Sequence, residues 1–145
     1  MTSNAPIPVL LCGKIPGHIK ATTEILRPEF EVIETCSSLE AARTAISEML
    51  SPSSAKSDSA TKPRVVLMGG GFPQEDFLSV YDTVEGAKSV PWVRPATLKP
   101  GAEDEAAIAR GPPPAEVVAG RIRKTLEERM EELRERKGQG EIWWM

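Results

Sequence analysis

Two glycine-rich turns carry most of the residues able to do chemistry in this chain. Gly13-Lys14-Ile15-Pro16-Gly17-His18 follows the apolar run Ile7–Cys12, and Gly69-Gly70-Gly71 follows Arg64–Met68. Glycines lack Cβ atoms and let a ligand approach the backbone closely. A helix starting near Gly17 aims free amides at that ligand and favours an anion there. Lys14 adds a point charge. His18 is the single histidine, the residue type suited to acid/base work near neutral pH, which makes it the acid/base candidate, with Lys14 as its catalytic companion. Arg94, at the end of a later apolar run, adds a cation able to reach a carboxylate. The guest these residues suit is a small phosphate or carboxylate, bound by Gly13, Lys14, Gly17, His18, Gly69, Gly70, Gly71 and Arg94.

The spacing stops short of any named nucleotide motif. Ile19 stands where a dinucleotide fingerprint needs its third glycine, and Lys14 is not followed by the Ser or Thr of a P-loop. The strand expected over Glu29–Thr35 is followed by Cys36-Ser37, with no acid to hold a ribose. No cofactor is therefore indicated. Tight turns without a ligand would use the same glycines, and Glu75 and Asp76 after the second turn suit a helix N-terminus as well as they suit catalysis. No nucleophile elbow or Ser-His-Asp spacing accompanies His18. Cys12 and Cys36 read as two reduced thiols, with a redox pair or a nucleophilic Cys12 as the alternative. One histidine and no CxxC spacing argue against a metal site.

Composition narrows the partners. The chain has 145 residues, 40% of them hydrophobic, and a formal charge of −3. That length supports one core, and the absence of a basic excess argues against nucleic acid. Its longest apolar run is far below the roughly 20 residues of a membrane span. The start, Met1-Thr2-Ser3-Asn4-Ala5-Pro6, has no positive n-region or apolar h-region. A cytoplasmic protein is expected, away from membranes.

The elements that must position these residues follow from the apolar pattern. Ile7–Cys12 and Arg64–Met68 are short bounded runs of branched aliphatics, as in strands buried on both faces. Glu29–Thr35 and Val90–Pro95 give two further strands. Ile19, Thr22, Thr23 and Leu26 recur at helical spacing before Pro28. Ser37-Ser38-Leu39-Glu40 fits a capping box in which Ser37 is the cap, and Leu39, Ala42, Ile46, Met49 and Leu50 form the stripe of that helix. Phe77, Val80, Tyr81 and Val84 mark a third helix. Residues 51–63 hold no large apolar side chain and read as a mobile loop, and Leu98–Pro114 reads as mostly irregular. Val118, Ile122, Leu126, Met130 and Leu133 predict one long helix over 115–137. The order predicts a single three-layer α/β domain spanning 1–145, with about four parallel strands ordered 2-1-3-4. The two glycine turns then meet where the sheet switches direction.

Val9 to Gly17, with Ile25-Leu26-Arg27-Pro28-Glu29-Phe30-Glu31-Val32-Ile33, resembles the opening βαβ unit of flavodoxin-like, Rossmann-like domains. Over about the first 100 residues it is similar to the first domain of D-2-hydroxyacid dehydrogenases, and in outline to receiver domains. The resemblance implies the fold and transfers no catalytic residue. Gly13-Lys14 and Met68-Gly69 stand where receivers carry their acids, and the dehydrogenase cofactor domain has no room in this chain. The overall pattern also resembles small fungal α/β proteins.

Two functions fit. One is a small-molecule or anion-binding protein, or a minor enzyme acting on a carbonyl or carboxylate substrate in the crevice between strands 1 and 3. The other is a non-catalytic interaction module. Its surface would be the C-terminal helix and the apolar tail 141–145, where Trp143 and Trp144 are adjacent. Termini are ordinarily polar and frayed, so this tail must dock, either on its own domain as an added edge strand or on a second subunit. A homodimer formed through helix and tail is the expected arrangement.

Overall fold

The first strand, β1 (Ile7–Cys12), is buried at all six positions, which requires the middle of a sheet covered on both faces. The computed structural model describes residues 6–50, 63–69, 72–84, 86–94, 114–135 and 138–144. The expected loop 51–63, apart from Pro63, lies outside them, as do Gly70, Gly71, Met145 and most of the stretch before Pro114. β1 is followed by α1 (Pro16–Leu26), β2 (Phe30–Cys36), α2 (Leu39–Leu50), β3 (Val65–Met68) and α3 (Gln74–Tyr81). A short 3-10 turn (Ala87–Ser89), β4 (Trp92–Arg94), α4 (Ala115–Glu128), α5 (Met130–Arg134) and β5 (Ile142–Trp144) complete the chain.

The sheet is parallel throughout, in the order β2-β1-β3-β4-β5. The four expected strands hold their expected places, and the tail adds a fifth. Successive side chains of β1 enter opposite cores, as the two-residue period of a strand demands. Leu10 and Cys12 pack with Ala42, Ile46, Phe77, Val80 and Trp92 beneath α2 and α3. Ile7, Val9 and Leu11 pack with Leu26, Ile122, Leu126 and Leu133 beneath α1, α4 and α5. This is a three-layer α/β fold. Among the described residues no helix is long and apolar enough to cross a membrane.

Two local expectations change. The α2 cap is Ser38, whose Oγ accepts from the Ala41 amide at 3.1 Å; Ser37 is one residue too early to reach it. The last helix breaks at Arg129 into α4 and α5. There the Arg129 guanidinium lies 4.9 Å from the centre of the Trp143 ring, while Leu133 is fully buried.

The tail docks on its own chain. Gly138 (φ 81°) and Gly140 (φ 76°) adopt the left-handed backbone that only glycine takes at no steric cost. They turn the chain so that Val93 pairs with Trp143 and Arg94 with Trp144. The Trp92 amide donates to Glu141 O at 2.9 Å, and the Tyr81 hydroxyl donates to Gly140 O. Trp143 is buried in the α4 and α5 core. Its indole is thereby covered within one subunit, so tail burial no longer calls for a homodimer.

Candidate functional site

The ladder carries the ends of β1, β2 and β3 to one edge of the sheet. Cys12 pairs with Cys36 on one side and Met68 on the other. The hydrogen bonding continues one residue further, with the Gly13 amide donating to Cys36 O and the Gly69 amide to Cys12 O, both at 2.9 Å. Both turns therefore begin side by side, as the switch in strand order requires. Lys14 joins them: its Nζ lies 4.9 Å from the centre of the Phe72 ring, a cation–π contact across the crevice. Lys14 is exposed, and Phe72 beneath it is buried.

Each glycine has its own reason. A Cβ on Gly13 would meet Ile19 Cγ1 at 3.2 Å, so its bare backbone makes room for the first turn of α1. Packing against Ile19 is therefore one reason for glycine at this position. A Cβ on Gly17 would meet nothing within 4 Å; here the surface is open. Gly69 would place a Cβ 3.6 Å from Cys12 O, an ordinary contact. None of the three has a positive φ. Gly70 and Gly71 lie outside the described residues.

The electrostatics of the rim are set by α1. Its N-cap is Ile15, which has no side chain able to cap, and its first turn holds no acid. The other described α-helices each carry one or two acids there: Glu40 in α2, Glu75 and Asp76 in α3, Glu116 in α4, Glu131 and Glu132 in α5. Pro16 has no N–H, and the His18 and Ile19 amides donate to Ile15 O, so the Gly17 amide is the donor that this positive helix end offers. Lys14 stands two residues before Pro16, and half-buried His18 lies in the first turn. Lys14, Gly17 and His18 therefore share one electropositive rim.

Arg94 has a different place. It is fully buried and clamps the loop between β3 and α3. One guanidinium nitrogen, Nη1, donates to Met68 O at 3.1 Å and Gly69 O at 2.9 Å. The other, Nη2, donates to Phe72 O at 3.0 Å and Gln74 Oε1 at 3.5 Å, and the group lies 5.0 Å from the centre of the Phe77 ring. Burial pushes its pKa down to about 10, partly offset by the Asp76 carboxylate. Arg94 does not stand at the rim with Lys14. It holds the loop that presents Gly69 and Phe72, so it is a positioning residue. Sequence reasoning placed Arg94 at the correct strand end but missed Phe72, Gln74 and Phe77; an aromatic directly after a glycine run was the available signal for Phe72.

A concavity between the β2 edge and α2 is lined by residues that include Glu34, Ser38, Glu40, Thr44 and Glu48. Its charge has the wrong sign for an anion. Among the described residues no group of three or more His, Cys, Asp or Glu side chains is placed to hold a metal.

Kojic acid related protein 6 of Aspergillus oryzae is 30% identical to this chain over 128 residues, spanning 86% of this chain and 78% of the relative. No family model matches the chain, and no solved structure matches it.

Proposed function

We infer a small-anion-binding function for this chain, which belongs to the family of Kojic acid related protein 6. The observation that carries the reading is the start of α1, which lacks both a capping side chain and a first-turn acid. Lys14 supplies a full positive charge beside it, held over Phe72. An anion here would accept from the Gly17 amide while pairing with Lys14. Gly17 leaves the surface open for it. The relative's name connects that protein with kojic acid. The anion reading rests on the rim and not on that name. His18, in the same turn, is the group that would move a proton if the bound molecule reacts. A cytosolic location agrees with two free cysteines.

The test is calorimetric titration of the full chain with inorganic phosphate and with a small carboxylate such as lactate. Lys14→Met removes the charge and keeps the stem, and should weaken binding about tenfold or more, the worth of one charge-assisted hydrogen bond. Equal affinity in wild type and Lys14→Met rejects the site. His18→Ala then separates roles: if a product forms, turnover falls while affinity holds.

The interaction-module reading rests on the exposed part of the C-terminal segment, where Val117 and half-buried Trp144 remain. A dimer by light scattering that persists when residues 142–145 are deleted would place any interface away from the tail.

A further inference from the structure

The two cysteines are brought together by an irregularity in the sheet. β1 and β2 begin in the register Ile7 with Phe30, and the register shifts between Val9 and Leu10. Without that shift Cys12 would stand opposite Thr35. With it, Cys12 stands opposite Cys36. The one-residue slip also decides the face, because neighbouring positions in a strand point to opposite sides. Thr35 is exposed, whereas Cys36 is buried in the same core as Cys12. Adjacent strands lie about 4.8 Å apart, inside the roughly 4.4–6.8 Å Cα separation that a disulfide spans. The Gly13 amide bond to Cys36 O closes the ladder directly after the pair, so the strand ends are fixed at that separation. Both thiols are free.

We propose that Cys12 and Cys36 form a reversible thiol–disulfide modification site, oxidised by hydrogen peroxide. Cys36 is the attacking sulfur and Cys12 the resolving one. Cys36 precedes α2, and its thiol donates to Ala41 O at 3.6 Å in the first turn of that helix. A hydrogen bond from the Cys12 thiol holds Cys36 below the ordinary thiol range. The same contact, with burial, pushes Cys12 well above it. The Cys36 thiolate attacks one peroxide oxygen, the O–O bond breaks, and a sulfenic acid forms while the other oxygen leaves as water. Cys12 Sγ then displaces the sulfenic oxygen, the S–S bond forms, and that oxygen leaves as a second water carrying the Cys12 proton. Two thiols and one peroxide become one disulfide and two waters; the sulfurs lose the two electrons that the peroxide gains.

The experiment is graded peroxide treatment of the full native chain, read by intact mass and a non-reducing tryptic map. The site predicts a loss of two hydrogen atoms and a linked pair of peptides, residues 1–14 joined to residues 21–43, both reversed by dithiothreitol. Oxygen additions without that link, or no reaction in the native chain when the urea-unfolded chain oxidises, overturn it. In Cys12→Ser the resolving thiol is gone, so dimedone should label Cys36; an unlabelled, folded variant overturns the assignment of roles. If Cys12→Ser does not fold, limited alkylation of wild type answers the same question. Cys36 modified first supports the assignment and Cys12 first overturns it.

Discussion

Truncating Trp143 to alanine should remove a large part of the stability of this domain. The side chain is 3% exposed and packs in the core beneath α4 and α5. A buried tryptophan covers about 150–250 Å². At about 25 cal/mol per Å² that is roughly 4–6 kcal/mol, an upper bound because the unfolded chain is not fully extended. The Arg129 contact adds a few tenths to about 1 kcal/mol. Measured Phe and Trp truncations in cores cost about 3–5 kcal/mol, and that is the expected loss. Against a typical total of about 5–15 kcal/mol, the variant remains folded at low temperature but melts roughly 10 °C lower. Urea denaturation followed by circular dichroism reads the change without depending on the deleted fluorophore. Trp144→Ala is the internal control, because Trp144 is only half-buried and should cost clearly less. A loss below about 1 kcal/mol for Trp143→Ala, or a loss that appears only as a fall in oligomer mass, would refute docking of the tail as β5.

Arg94→Met should cost about 2–4 kcal/mol, since it leaves the carbonyls of Met68, Gly69 and Phe72 without their cation; a variant as stable as wild type rejects the clamp. Gly17→Ala should raise stability by about 0.5–1 kcal/mol because nothing blocks the new methyl, whereas Gly13→Val should lower it by about 1–3 kcal/mol through Ile19, both read by urea denaturation. The Arg123 hydrogen bond at 2.8 Å holds the Glu29 carboxyl below its usual 4.5. A depressed folded pKa gives stability that is present above the unfolded value and is lost as pH falls through the folded one. Denaturation curves between pH 5 and about pH 3 should therefore fall less steeply for Glu29→Gln than for wild type; superimposable slopes contradict the pairing.

The order of the first four strands was legible because each is a short apolar run between turn signals, and alternation with helices leaves few topologies. Strand β5 was not. Ile142-Trp143-Trp144 is too short to show a strand period, and its choice of β4 depends on where Gly138 and Gly140 aim the chain. The break at Arg129 was hidden for a similar reason, since Met130 and Leu133 continue a helical stripe across it. At the candidate site the sequence brought Lys14 to the β3 turn, where it lies over Phe72, because strand ends in a parallel sheet share one edge. It could not tell that Gly13 makes room for Ile19 or that Arg94 faces carbonyl oxygens. Those facts depend on side-chain directions from elements distant in the chain. Nor could it place Cys36 opposite Cys12, which turns on a single register shift.

The proposed anion site joins the start of α1 to the β3 turn. Amide chemical-shift mapping of the 15N-labelled chain during a phosphate titration at low ionic strength tests it directly. A site there gives saturable shifts concentrated at Gly13, Lys14, Gly17, His18, Ile19, Gly69 and Phe72, all lost in Lys14→Met. Shifts centred instead on the groove of Glu34, Ser38 and Glu40, or no saturable shifts at millimolar phosphate, would contradict it.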